Sequence, residues 1–209
     1  MATGRPDDGK HEGTPVMQLN IAAVSALVRL TLTRPREAAA RLIALDVPDD
    51  ARWLGFVIVV VLSVFLGQVS VLLMEDGEAM MGGGLLFMAM FQTSVLLGMV
   101  VAVQGVGRAL GGKGSFPDTL LLLAWLQFVM LVLQFVQIAA LILIPPLFGM
   151  ITLLALAVFL WLLTNFVLVL HGFTSGLKVF VGIIFSFFGV AMALAFLLVL
   201  LGFGPEGAM

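Results

Sequence analysis

Leu120–Leu143 reads LLLLAWLQFVMLVLQFVQIAALIL, an apolar run interrupted by Gln127, Gln134 and Gln137 and by no charge. At about 1.5 Å per residue a helix of this length spans a hydrocarbon layer of ~30 Å, and in lipid only a helix or a closed barrel satisfies its own backbone. The uncharged character extends from Thr119 to Leu170, enough for two crossings. Pro145 and Pro146 divide it, because a Pro-Pro pair breaks a helix, and about 25 residues remain on each side. A tight helical hairpin is predicted.

Outward from this hairpin the same pattern recurs, which predicts membrane spans at 53–74, 84–106, 120–144, 147–170 and 177–201. The expected fold class is all-α: a polytopic membrane protein with a five-transmembrane-helix bundle over 53–201 and an N-terminal amphipathic helical lead. Composition agrees, since 62% apolar and 11% charged residues in 209 leave too little polar surface for a water-soluble domain. The first apolar run starts only at Trp53, after a polar and amphipathic lead, which is the wrong layout for a cleaved secretory signal. There is no Cys, so disulfides and thiol ligands do not contribute. Nothing in the charge pattern suits nucleic acid.

Residues 1–19 are rich in Gly, Pro, Asp and Lys without apolar periodicity and are read as a disordered tail. Over 20–52 the pattern changes. Ile21, Val24, Val28 and Leu32 recur on one helical face, with Ser25, Arg29 and Thr33 on the other. Pro35 disfavours helix at Arg34 and suits the first turn of a second helix, in which Glu37 sits near the positive end and pairs with Arg41. Ala38, Leu42 and Leu45 form its apolar stripe. Two placements stay open: in the headgroup region with Arg29, Arg34, Arg36 and Arg41 facing anionic lipid, or as a cap on the cytosolic end of the bundle. The amphipathic pattern favours the first.

Lys and Arg set the orientation. Arg5, Lys10, Arg29, Arg34, Arg36, Arg41 and Arg52 precede the first span, Arg108 and Lys113 follow the second, and Lys178 opens the fifth. The intervening segments carry none, and the loop after the first span holds Glu75, Asp76 and Glu78 instead. A cytosolic N-terminus and an external C-terminal tail (202–209) follow.

Candidate chemistry is sparse. Gly107 to Gly114, G-R-A-L-G-G-K-G, approaches a P-loop but has Gly114 where Ser or Thr must reach magnesium, and it joins two membrane helices rather than following a strand. It is read as a flexible cytosolic loop, followed by a helix start with Ser115 at the cap, Pro117 in the first turn and Asp118 three residues on. Met74, Met80 and Met81 flank the external carboxylates, but no His is near, and an acidic outer loop is accounted for by topology. His171 has no paired carboxylate or nucleophile nearby in sequence and reads as an interfacial anchor.

The span interiors hold no Asp, Glu, Lys or Arg, which removes the usual relays of pumps and secondary transporters. Gln68, Gln92, Gln104, Gln127, Gln134, Gln137, Thr164 and Asn165 remain as neutral polar residues. The three glutamines of the third span fall within an arc of about 80°. With Asn165 they form a candidate polar face. Ser63 with Gly67, Gly98 with Ala102, Gly182 with Ser186, and Gly189 with Ala193 supply small-residue faces for close helix contact.

Three stretches carry a resemblance: Arg34-Pro35-Arg36-Glu37-Ala38-Ala39, the cytosolic loop Gly111-Gly112-Lys113-Gly114-Ser115-Phe116-Pro117-Asp118-Thr119-Leu120, and His171-Gly172-Phe173-Thr174-Ser175-Gly176-Leu177-Lys178. With the span layout they make the chain resemble the bacterial branch of the Yip1 domain family over roughly Arg29 to Leu201. The resemblance implies an integral membrane protein with a cytosolic N-terminus, expected in a bacterial cytoplasmic (inner) membrane. Eukaryotic relatives act in vesicle traffic between ER and Golgi and contact Rab GTPases; this chain has no Tyr, so their Asp-Leu-Tyr-Gly-Pro and Gly-Tyr motifs are absent.

The expectation is a non-enzymatic membrane protein that organises lipid or partner proteins, with no catalytic residue, cofactor or metal. Its expected partners are membrane lipids, other membrane proteins or a second copy. The alternative is a conduit for a small neutral solute or lipid along the glutamine face.

Overall fold

The computed structural model describes residues 21–73 and 84–200. The expected 1–19 tail, the outer loop with Met74, Glu75, Asp76, Glu78, Met80 and Met81, and the 202–209 tail lie outside the described residues. In chain order the helices are α1 (Ile21–Thr33), α2 (Pro35–Ala44), α3 (Asp49–Leu72), α4 (Gly84–Ala109), α5 (Phe116–Leu143), α6 (Phe148–His171) and α7 (Gly176–Leu200), with a 3-10 turn at Pro145–Leu147. No strand occurs among the described residues.

α3, α4, α5 and the segment Pro145–His171 that contains α6 are long and apolar enough to cross a membrane. α7 runs 25 residues, with an apolar stretch at Gly176–Gly189, at the position expected for a fifth span. α3 and α5 each begin four residues before their hydrophobic runs because their first turns are polar. Asp49 and Asp50 occupy the first turn of α3 after Pro48, where the positive end of the helix favours acids. Ser115 caps α5, its Oγ accepting from the Asp118 N–H, and Pro117 lies in the first turn. Pro145 and Pro146 end the α5 ladder as expected, and α6 returns at once.

α5 is the centre of the bundle, packing on α3, α4, α6 and α2. Phe166, Leu120, Leu122, Leu123, Leu126, Leu162 and Leu163 are its largest fully buried side chains. Outward-facing Val57, Val61, Phe65, Leu86, Phe87, Leu153 and Leu154 stay exposed, an apolar surface suited to lipid rather than to water. α7 joins mainly through α6.

The helical lead is docked on this bundle. Pro35, Ala38, Ala39 and Leu42 of α2 are buried, against α6 and α5; Leu45, the third residue of the expected stripe, is 39% exposed. α1 rests on one edge, where Thr31 is fully buried and accepts from Trp125 Nε1 at 2.9 Å. Its own apolar stripe is partly turned to the bundle, with Val24 and Val28 half-buried, Ile21 and Leu32 exposed, and Arg29 further round on the polar side. The lead is thus fixed to the bundle end by α2 and Thr31, and what stays open on α1 is Ile21 and Leu32 at one edge of the stripe together with Arg29.

The small-residue faces do not work as expected. A Cβ added at Gly67, Gly98, Gly182 or Gly189 would meet nothing within 4 Å, so no neighbouring backbone among the described residues uses the space.

Candidate functional site

All described charged side chains gather at one end of the bundle. The N-termini of α3 and α5 meet there: Arg52, buried at the start of α3, contacts Asp49 at 3.4 Å and Asp118 at 3.6 Å. Asp118 is held in turn by Ser115, whose hydroxyl donates to Oδ2. Burial of Arg52 is tolerable because carboxylates reach it from two helices.

The C-terminus of α4 closes with the Gly112 N–H on the Gly107 carbonyl at 2.8 Å and the Gly111 N–H on the Arg108 carbonyl at 2.9 Å. This Schellman arrangement needs a left-handed residue, supplied by Gly111 at φ +86°. The turn carries the chain over the end of α6, where His171 is 2% exposed. Gly114 N–H donates to His171 Nδ1 at 3.3 Å, and Lys113 N–H donates to the His171 carbonyl at 3.3 Å. Nδ1 therefore carries no proton of its own. Nε2 lies against Gly107, and although the Val103 carbonyl is close, no group meets it in hydrogen-bond geometry among the described residues. Phe173 stacks on the ring at 5.5 Å between centroids.

A Cβ at Gly107 would lie 2.1 Å from Nε2, one at Gly112 2.5 Å from Nδ1, and one at Gly114 2.8 Å from Leu170 Cγ and 2.9 Å from Nδ1. These glycines are small because an imidazole fills the space, which corrects the reading of this stretch as a merely flexible loop. His171 is accordingly a buried keystone rather than an interfacial anchor. Gln104, buried near the end of α4, completes the loop: its Nε2 donates to the Gly114 carbonyl at 2.8 Å and its Oε1 accepts from Thr119 at 2.7 Å. A single polar residue inside an apolar run was the available signal for Gln104, but its partners lie in the following loop and are invisible to helical periodicity.

At the same end α2 and α6 enclose an open cleft of about 410 Å³ lined by Arg34, Pro35, Arg36, Glu37, Trp161 and Asn165. Arg36 Nε donates to Asn165 Oδ1 at 2.8 Å, and Asn165, itself buried, donates from Nδ2 to the Trp161 carbonyl at 2.7 Å. Arg34 and Arg41 both pair with Glu37, at 3.5 and 2.6 Å. Arg29 is exposed beside Ser25 and Thr33 in a second shallow cleft that Arg34 also lines. Of the basic residues proposed to face lipid, Arg36 is thus also an internal tie to α6.

The candidate polar face is dispersed. Gln127 donates to Ser63 of α3 at 2.8 Å, Gln137 donates to Thr152 of α6 at 3.2 Å, and Asn165 meets Arg36 of α2. Gln134, half-buried, forms no hydrogen bond among the described residues. The face holds three contacts to three helices and no shared site.

No curated protein and no solved structure matches this chain. A family model does match, the Yip1 domain, over residues 29–201, a range that begins within α1 and takes in the docked lead, the glycine cradle and the α2–α6 cleft together. The chain belongs to the Yip1 domain family.

Proposed function

We propose that this is a non-enzymatic, five-span integral membrane protein of the bacterial cytoplasmic membrane that organises lipid or partner proteins at its cytosolic face. The charged end of the bundle is the cytosolic one, with the N-terminus inside and the C-terminus outside. The observation that carries this reading is the docking of α1: Thr31 and α2 hold it to the bundle while Ile21 and Leu32, at the open edge of its stripe, and Arg29 on the polar side remain uncovered. An in-plane helix fixed in that way seats its apolar stripe among acyl chains and its arginine among anionic headgroups.

The polar groups nearby support a binding or organising role over a reaction. Gln104 and Thr119 are engaged with loop and helix ends, as are His171 through Nδ1 and Arg52 through its terminal nitrogens. Conduction along the glutamine face is the weaker reading, because Gln127 and Gln137 are spent on different neighbours. Reconstitution into liposomes tests both. Solute flux and lipid scrambling should stay at the level of protein-free vesicles, while anionic lipid should be enriched around the protein and lose that enrichment at high salt. Flux that disappears in Gln127→Leu would replace this reading with the conduit.

A further inference from the structure

We infer that the cleft between α2 and α6 binds one anionic phospholipid, its phosphate held between Arg34 and Arg36 and an acyl chain laid along α6 over Trp161 and Leu154. The inference rests on the membrane reading above and gives it a defined site. Three observations combine. The first is the way Arg36 is held. Its Nε is engaged by Asn165, which is 8% exposed, so the guanidinium is pinned while its terminal nitrogens have no protein hydrogen bond among the described residues. An arginine fixed through Nε presents the rest of its planar fork, the geometry that matches phosphate oxygens.

Charge is the second. Glu37 is the acid lining the cleft, and Arg41 holds it at 2.6 Å, closer than Arg34 at 3.5 Å. Three arginines thus stand against one glutamate, and Arg34, with 74% of its side chain exposed, is free to turn toward an anion. The first turn of α2, Pro35 to Glu37, lines the same cleft and adds the positive end of a helix.

The third is the apolar floor. Trp161 is 43% exposed and Leu154, seven residues earlier on nearly the same face of α6, is 62% exposed. An indole beside the charged pocket and an open leucine about 10 Å along the helix axis suit a headgroup boundary followed by a chain. A free phosphate would use the arginines and leave this floor bare.

The test uses full-length protein purified in mild detergent and stripped of lipid. Phosphatidylglycerol, phosphatidylcholine and inorganic phosphate are titrated separately, and lipids retained per chain are counted by native mass spectrometry. One phosphatidylglycerol per chain should be retained with about tenfold preference over phosphatidylcholine, and Arg36→Gln should lower that retention about tenfold. Asn165→Ala, which keeps the charge and frees the guanidinium, should lower it several-fold, whereas Arg29→Gln, outside the cleft, should change it less than about twofold.

Equal losses in Arg29→Gln and Arg36→Gln would overturn the site and leave a diffuse attraction of the lead for anionic lipid. No preference for phosphatidylglycerol in the unaltered protein would overturn both the site and that attraction. Displacement of the lipid by equimolar inorganic phosphate would make this a free-anion site and overturn the lipid assignment. Should the Arg36 variant not fold, phosphatidylglycerol with brominated chains decides on stable protein: it should quench fluorescence in the unaltered chain and measurably less in Trp161→Phe. Equal quenching in the two would overturn the proposed path of the acyl chain.

Discussion

The backbone N–H of Gly114 donates to Nδ1 of His171 at 3.3 Å, joining residues 57 apart in sequence and closing the loop between α4 and α5 over the end of α6. Three helix ends are therefore tied together at one point. The imidazole is the filling at that point, and the glycines around it are the space it needs.

Gly107→Ala should be destabilising, because its Cβ would fall 2.1 Å from His171 Nε2 inside a closed contact. Overpacking of this kind costs about 1–3 kcal/mol, and the loss should appear as a lower melting temperature of the purified protein. Gly105→Ala, with nothing within 4 Å of its Cβ, should be neutral or more stable by up to ~1 kcal/mol. The pair with His171→Ala separates causes. If the clash is responsible, Gly107→Ala should cost less in the His171→Ala background than alone; equal costs in both backgrounds would mean that the ring does not set the requirement.

How far the sequence could be read depends on how local each cause is. Pro145-Pro146 breaks a helix wherever it stands, and Ser115 with Asp118 makes a helix start from four consecutive residues, so both are legible and both occur. Pairing of Glu37 with Arg41 is equally local. The glycine cradle is not, because the reason for Gly107 lies at His171, and no local pattern connects them. Helical periodicity misleads in a different way for the glutamines. Gln127 and Gln137 share a face of α5 but stand about 15 Å apart along its axis, and at those two levels the neighbours are α3 and α6. The small-residue pairs fail for the same reason: spacing says that a close approach is possible, and only packing says whether a partner comes.

The glutamines now separate experimentally. Gln127→Leu deletes the bond to Ser63 Oγ and should cost about 0.6–1.7 kcal/mol, the range for interhelical hydrogen bonds in membranes. Gln134→Leu removes no hydrogen bond among the described residues and should melt within about 0.5 kcal/mol of the parent or slightly higher. Equal destabilisation by the two would show that the glutamine face acts as a whole.

Asp118→Asn should unsettle the charged end. It removes the carboxylate opposite Arg52, whose side chain is 9% exposed, and leaves Asp49, which is 73% exposed, as its remaining partner. Breaking such a pair from one side leaves a buried charge poorly compensated, and because Asp49 still reaches it the loss should be about 1–3 kcal/mol by thermal melting, below the ~3–5 kcal/mol of a fully buried pair. Adding Arg52→Leu to the same protein should recover part of that loss, since the uncompensated charge goes with it. Further destabilisation of the double variant would mean that Arg52 contributes mainly through the packing of its stem.

Membrane orientation can be read directly, because the chain contains no Cys and any cysteine introduced is the only thiol. Lys113 and Pro146 are both exposed and lie at opposite ends of α5, a helix of 28 residues that extends about 42 Å. A membrane-impermeant maleimide applied to intact cells should label Pro146→Cys at once and Lys113→Cys only after permeabilisation, as segregation of Lys and Arg requires. The reverse pattern would invert the topology while leaving the bundle intact. Labelling of both from one side would mean that α5 does not cross, although its length and apolar character suit a crossing. A reporter fused after Met209 then decides α7. External activity makes it the fifth crossing, whereas cytosolic activity would leave four and place α7 along the membrane surface, with the family match intact and the proposed C-terminal orientation lost.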